Sequence, residues 1–541
     1  MSLIAFPRST LSADVVRDAM VRRWGLVAPV GLAIMLIVAA VLMRPLIPVD
    51  ETRYLSVAWE MRQSQDWLVP HLNGQAYSHK PPMLFWLINL AWSVFGENTL
   101  VARLTPAAFL PVSVWLTGRL GAMIGGKAVG DRAALVAVGF LVFVVSGTLV
   151  MFDAMLTAAC LAGLIGLCLA AQGQRVKGLG LFGLMIGAGL LIKGPAALIH
   201  LAPAAILAPL WVDRRQNWVI WYAGVIAAIA LGAAIGLAWA LPAARAGGPD
   251  FAQAILWGQT SGRVVNAFDH ARPVWYYLAL APILLLPWSV SRNLWAAVRE
   301  RSTEPMARTG RLAWIAAAGT VILFSLVSGK QAHYVAPAIP SLAIGLALIL
   351  ARRPALSEPG FAVVTFVLGG VLVLIYPLGL LDESWPPYPF ALGGLVAMAL
   401  SVVVWKMRAR PAAAAAAAVA SIFAGLHVGA LLGGLSIYDP SWVAPHLASG
   451  ADRRPVAVVG EYAGEYGYAA RLDRPVSVLA PQAAPDWLAS HPDGVVIQAW
   501  RDQPALASAP IALRPYRKGM LGVWTAESSL QTEPRDAPAS R

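Results

Sequence analysis

Apolar runs of about 20 residues alternate with short polar breaks along most of the chain, the pattern of helices that cross a bilayer. The first run, 24–46, is too long for a cleaved leader and reads as a retained anchor. Further spans are predicted at 99–118, 133–150, 154–171, 179–192, 195–211, 217–240, 274–291, 312–328, 335–350, 360–380, 389–405 and 411–435, about 13 transmembrane helices in all. The stretch 82–95 is apolar but only about 14 residues long, short of the roughly 20 needed to span. It is predicted to be an interfacial or half-inserted helix. Just before it, 50–63 places Tyr54, Val57, Ala58 and Met61 on one face, a helix lying in the interface.

Charge position tests this layout. With 82–95 left out of the count, the Arg and Lys clusters at 119–132, 175–177, 214–215, 292–311, 352–353 and 406–410 all fall on the side of the N-terminus. Positive loops stay cytoplasmic, so that side is the cytoplasm and the first loop, 48–98, lies outside. Counting 82–95 as a span would invert every later cluster. The second large external loop is 241–273.

From about 437 the pattern changes. Charged and turn residues return, with short apolar runs at Val456–Val459, Val476–Leu479, Gly494–Ile497 and Leu521–Trp524, and a helical stretch near Pro485–Ser490. This predicts a small α/β domain over 437–541, outside the membrane, with a disordered tail from about Glu527. The fold class expected is therefore an all-α polytopic membrane domain, 1–436, followed by that domain.

Composition agrees. The 541 residues are 58% hydrophobic and 13% charged, with mean hydropathy +0.65, against about 25% charged in soluble chains. The net charge of +13 comes from the loop clusters, which argues against nucleic acid as its cause. Cys160 and Cys168 lie eight residues apart on one predicted helix, about 12 Å by helical rise, too far for a disulfide. No phosphate-binding loop or dinucleotide fingerprint is present.

The topology sorts the polar residues. Five external segments carry acids, imidazoles or cations: Asp50, Glu51, Arg53, His79 and Lys80; Asp153; Lys193; His270 with its neighbours; and Lys330, His333 and Tyr334. Each has an ordinary reading. Acids favour helix N-termini, Lys193 before Gly-Pro can snorkel, and Tyr334 can anchor at an interface. Asp153 is harder to dismiss because it interrupts continuous apolar sequence. Convergence on one membrane face favours chemistry there. Lys and Arg can hold a phosphate, a carboxylate can orient a nucleophile or act as a base, and carboxylate with imidazole can bind a divalent metal. A transporter or flippase of lipid-linked sugars is the rival from another class, but transporters place polar groups near the midplane.

The motifs Asp50-Glu51-Thr52-Arg53-Tyr54, Asp66-Trp67, Pro70-His71-Leu72 and Lys80-Pro81 resemble the first external loop of the bacterial aminoarabinose transferases that modify lipid A. The wider superfamily includes the protein O-mannosyltransferases and has the GT-C membrane fold. The likeness continues at Phe152-Asp153-Ala154, Lys193-Gly194-Pro195, His270 with Pro273 to Tyr277, Pro287-Trp288, and Lys330 with Tyr334. It implies a polyprenyl-phosphate-linked sugar donor, used with inversion at the periplasmic face of a bacterial inner membrane. The acceptor would be a lipid or glycolipid, lipid A foremost, with a protein hydroxyl as the alternative. Asp50, Glu51 and Asp153 are the acids expected at the reacting centre. Arg53, Lys80, Tyr334, Lys330 and Lys193 are expected at the donor phosphate. His79 and His270 are the expected ligands of a possible divalent metal such as zinc, magnesium or manganese. His79 stands where those transferases have Glu. The protein is expected to act as a monomer.

Overall fold

The computed structural model describes residues 25–262, 271–300, 307–352, 355–381, 384–447 and 454–526. Among them, eight helices are long and apolar enough to cross a membrane, or nine if one bent pair counts as a single span. The protein is thus a polytopic helical membrane protein. The expected boundaries give way where the sequence breaks its own helices. The predicted 133–150 span is two helices, Lys127–Val138 and Leu141–Gly147, bent by 74° around Gly139. The predicted 274–291 span is a nine-residue helix, Tyr276–Leu284, then a short 3₁₀ turn after Pro287. Proline lacks the N–H and clashes with the preceding turn, so an apolar run with Pro282 and Pro287 cannot stay one regular helix. Apolar length alone therefore overstates the number of straight spans.

The first loop is built as its pattern suggests. Asp50–Ser64 is a helix that buries Tyr54, Leu55, Val57, Ala58 and Met61, and Met83–Phe95 is a separate 13-residue helix packed against it. Asn89 ties the two by donating to the Ala58 carbonyl at 2.9 Å.

Two 19-residue helices, Asp153–Ala171 and Arg175–Lys193, form an antiparallel hairpin. Their equal length, about 28 Å at the helical rise, brings their outer ends level. Glycines bring their backbones together at the turn. A Cβ on Gly178 would lie 2.4 Å from the Gly166 carbonyl oxygen, and one on Gly166 would lie 2.6 Å from that of Gly178. Only residues without side chains permit this approach, which fixes the register of the hairpin.

The C-terminal part holds a five-stranded mixed sheet. Val456–Val459 pairs in parallel with Ser477–Leu479 and Val495–Trp500. Gly519–Thr525 then runs antiparallel to Val495–Trp500, and Ala512–Tyr516 forms the far edge. The central strands are buried on both faces, Val456 and Val458 on one and Ala457 and Val459 on the other. This is why they read as unbroken apolar runs. The edge strand Ala512–Tyr516 is mostly exposed and contains Pro515, so no apolar run announces it.

This sheet domain docks on the Asp50–Ser64 helix through the 464–476 segment. The Ser56 hydroxyl donates to the Gly464 carbonyl at 2.7 Å and accepts from the Tyr468 N–H at 3.0 Å. Trp59 Nε1 donates to the Leu472 carbonyl at 2.7 Å. Asn73 and Val476 exchange two hydrogen bonds, at 2.7 and 3.1 Å. Tyr468 stacks on Trp92 at 5.4 Å, and the Arg471 guanidinium lies 4.2 Å from the Tyr468 ring and 4.7 Å from that of Trp59.

Candidate active site

The hairpin register creates the centre of the site. Asp153 opens one helix and Lys193 closes the other, so both lie at the same end. An acid in a first turn and a cation in a last turn each suit the helix dipole. Lys193 Nζ donates to Asp153 Oδ1 at 2.8 Å, with Asp153 only 1% exposed. Buried charges persist when paired, and this one is. Gly194, at φ 65, and Pro195 then turn the chain out of the helix.

The other carboxylate oxygen, Asp153 Oδ2, is buried and accepts no hydrogen bond. His333 Nε2 faces it at 4.0 Å. The ammonium of Lys193 also lies 4.8 Å from the Tyr334 ring centroid, a cation–π distance. One carboxylate, two cation-capable groups and a phenol ring thus share this end of the bundle.

The first loop supplies the second half. Asp50 Oδ1 accepts from the Tyr54 hydroxyl at 3.2 Å and lies 3.9 Å from Arg53. Tyr54 is buried and packs edge-on against Phe152 at 5.0 Å, the residue before Asp153. The two halves therefore touch through Tyr54 and Phe152. Asp50 and Lys80 of the first loop also act electrostatically on the His333 ring. Tyr54 was not among the expected site residues. Its spacing of four from Asp50 on a helix is the signal that could have found it.

Glu51 occupies a different place from its neighbour. It is 2% exposed, and both its oxygens are engaged. Arg44 donates to both, at 2.5 and 3.0 Å, and the Ile47 and Val150 N–H groups donate at 2.8 and 2.7 Å. Arg44 also donates to the Thr148 carbonyl at 3.0 Å. Burial raises this carboxyl, but Arg44 and the two N–H groups outweigh it and hold it below the usual range. Glu51 therefore anchors two segments at once: the helix that starts at Asp50 and the turn that leads into Asp153. Its atoms leave no oxygen for a reacting group. Arg44 closes the predicted first span, where a lone arginine ending an apolar run reads as ordinary.

Lys330 is also engaged. Its side chain is 2% exposed and donates to the Arg272 carbonyl at 2.8 Å. With the Arg272 N–H donating to the Ser328 carbonyl and the Ala271–Gly329 bridge, it clamps 271–272 onto 328–330. In this arrangement it holds a loop.

His79 is exposed, its ring 5.2 Å from that of Tyr77, and Lys80 is half-buried beside it. His270 lies outside the described residues. Among the described residues, no three His, Cys, Asp or Glu side chains stand close enough to hold a metal ion. The expected pair of His79 and His270 thus lies partly outside the described residues.

The chain is similar to known proteins over most of its length. Residues 79–243 match the model of the dolichyl-phosphate-mannose-protein mannosyltransferase family. An undecaprenyl phosphate-alpha-4-amino-4-deoxy-L-arabinose arabinosyl transferase from Edwardsiella ictaluri is 30% identical over 409 residues, covering 72% of this chain and 68% of that protein. Similar transferases from Pseudomonas fluorescens and Yersinia pestis are 30% and 28% identical, but the matches span only about half of their length, 52% and 54%. Among solved structures, ArnT from Cupriavidus metallidurans bound to undecaprenyl phosphate superposes with a TM-score of 0.73 at 19% identity, covering 93% of this chain and 98% of that one. Its apo form gives 0.71. The overall fold is thus shared over most of the chain.

Proposed function

The chain belongs to the family of the undecaprenyl phosphate-alpha-4-amino-4-deoxy-L-arabinose arabinosyl transferases, and from that membership we propose that it transfers a monosaccharide from a polyprenyl-phosphate donor to a cell-envelope acceptor. Lipid A or a related glycolipid is the leading acceptor. The positive-inside pattern supports a periplasmic site in the inner membrane, with the C-terminal sheet domain on the same side.

One observation carries the reading: a buried Asp153–Lys193 pair with a carboxylate oxygen left open, at the bundle end where the first loop brings Asp50, Arg53 and Lys80. Cations beside an apolar bundle suit a phosphate whose lipid tail stays in the membrane. Arg53 offers a planar fork and Lys80 a point charge for the bridging phosphate. Tyr334 caps the ammonium of Lys193 and can donate its hydroxyl to the donor phosphate. As the bond from the sugar to phosphate breaks, charge grows on the phosphate oxygens, and these cations stabilise it. Asp50 is the acid open to solvent and orients the incoming nucleophile on the opposite side of the sugar, which inverts the anomeric carbon.

Mass spectrometry of lipid A and envelope glycans with and without this protein tests the proposal. The expected result is a glycolipid species, heavier by one sugar residue, that vanishes when the protein is removed. Unchanged glycolipids together with a glycosylated secreted protein that disappears would move the acceptor to protein. No change in any envelope glycan would sink the reading.

A further inference from the structure

At the end of the bundle opposite the Asp153–Lys193 pair, the helical hairpin turns through 172–174 and the helices enclose a cavity of about 140 Å³. Cys168 and Ala171 stand three apart on one helix face, and their small side chains leave this room between Ile124 and Leu312 of two other helices. Cys168, Ile124 and Leu312 are buried and give the cavity an apolar interior, while Thr309, Arg214 and Asp213 bring polar groups to its wall. A comparable volume of about 150 Å³ in an apolar core stays dry and holds a six-carbon ring.

Cations gather beside the same cavity. Arg308 and Arg311 lie one turn apart at the start of the helix whose Thr309 and Leu312 line it. Arg308 donates to the Val212 carbonyl and Arg311 to that of Leu210, both at a long 3.4 Å. Arg214 donates to the Gln172 carbonyl of the hairpin turn at 3.1 Å. All three arginines are exposed, and among the described residues none forms an ion pair. Ile206, Leu207 and Leu210, next to the carbonyl that Arg311 holds, expose apolar side chains. The positive-inside rule accounts for arginines on this side of the membrane. It does not account for three of them, from two segments, meeting at an apolar cavity.

From this arrangement we propose that an anionic phospholipid binds here, its phosphate held by Arg214, Arg308 and Arg311, with one chain packed in the cavity and the other on the outer face of Leu207 and Leu210. Planar guanidinium forks match phosphate oxygens, and basic pockets between transmembrane helices take anionic headgroups in this way. Asp213 is the acid at this wall, and it leaves the arginines in excess. A free phosphate would satisfy the arginines and leave the cavity unused. A bare hydrocarbon would fill the cavity and leave the arginines unused. A phospholipid uses both. Bound there, it ties the hairpin turn at Gln172 to the helix that starts at Arg308. The site lies at the far end of the helices that carry Asp153 and Lys193, so it stands independently of the donor reading.

The test uses the full-length protein in detergent and native mass spectrometry, with dioleoyl phosphatidylglycerol and dioleoyl phosphatidylcholine titrated as probes. A single phosphatidylglycerol should bind first, and phosphatidylcholine should bind more weakly. Arg308→Ser combined with Arg311→Ser should weaken that first binding on the order of 30-fold. Ala171→Leu keeps every charge but fills the cavity, and should weaken it on the order of tenfold. Arg408→Ser combined with Arg410→Ser removes charge from another basic cluster on the same side and should leave the binding within about threefold. Phosphatidylglycerol should also raise the thermal midpoint of the wild type more than that of either site variant. Equal affinity of the wild type for the two lipids, unchanged binding in either site variant, or an equal loss in the Arg408 and Arg410 control would overturn the site. Displacement of the lipid by millimolar inorganic phosphate would also overturn it, leaving an anion site alone.

Discussion

Lys193 Nζ lies 2.8 Å from Asp153 Oδ1, joining the last residue of one helix to the first residue of its antiparallel partner. The pair closes the outer end of the hairpin and sets the charge of the site in one contact. Breaking one side leaves the other charge buried and alone, a loss of about 3–5 kcal/mol. Lys193→Ala should therefore lower the thermal midpoint in detergent, followed by tryptophan fluorescence, and should abolish transfer. The double variant Asp153→Asn with Lys193→Met removes both charges. It should regain much of the stability and none of the activity. Equal destabilisation of the double and single variants would show that the pair is not coupled.

Glu51 should behave as an anchor. Glu51→Gln leaves Arg44 buried without its counter-charge, and the expected cost is again about 3–5 kcal/mol. The pH dependence has a definite sign. Because the folded carboxyl is held below the ordinary value of about 4.5, its contribution is fully present above that pH and is lost as pH falls through it toward the depressed value. Wild-type unfolding midpoints between pH 6 and pH 3 should drop more steeply than those of Glu51→Gln. Parallel curves would remove Glu51 from the anchoring role.

The sheet domain should matter for transfer as well as for stability. Gly464 sits at φ 86, and a Cβ there would lie 2.8 Å from Leu72 Cδ1 and 3.3 Å from the Arg53 Cα. Gly464→Ala thus pushes on the backbone of a residue assigned to the donor phosphate, besides the left-handed cost of about 1–2 kcal/mol. Ser56→Ala strands the Gly464 carbonyl and the Tyr468 N–H, about 1–3 kcal/mol each. Both variants should speed proteolytic release of the C-terminal domain and raise donor KM. Normal proteolysis with normal KM would mean the dock is dispensable.

Much of this was legible in the sequence, for identifiable reasons. The Asp50–Ser64 helix announced itself by apolar spacing, and the short 82–95 segment by its length. Asp153 stood out because a carboxylate inside an apolar run has no cheap explanation. The buried strands were visible as apolar runs. What stayed hidden depends on pairing across distant positions. Asp50 and Glu51 are adjacent and chemically alike, yet one is half-exposed beside Arg53 and the other is locked on Arg44. Nothing local separates them. Lys330 reads like any cation near a membrane face until the Arg272 carbonyl is seen beneath its ammonium. The breaks at Gly139 and Pro287 were overruled by hydropathy, which measures burial in lipid and is blind to backbone geometry.

The central claim is that a polyprenyl-phosphate sugar is consumed at the Asp50 and Asp153 end of the bundle. The most direct measurement is a reconstituted assay with purified protein, undecaprenyl phosphate-linked 4-amino-4-deoxy-L-arabinose and lipid A, read by mass spectrometry. Wild-type protein should add one sugar residue to the acceptor and release undecaprenyl phosphate in equal amount. Asp50→Asn should insert and fold normally, Asp153→Asn should insert and fold with a lowered thermal midpoint, and neither should add sugar. Folded wild-type protein that leaves the donor intact, or near-normal transfer by both variants, would contradict the account.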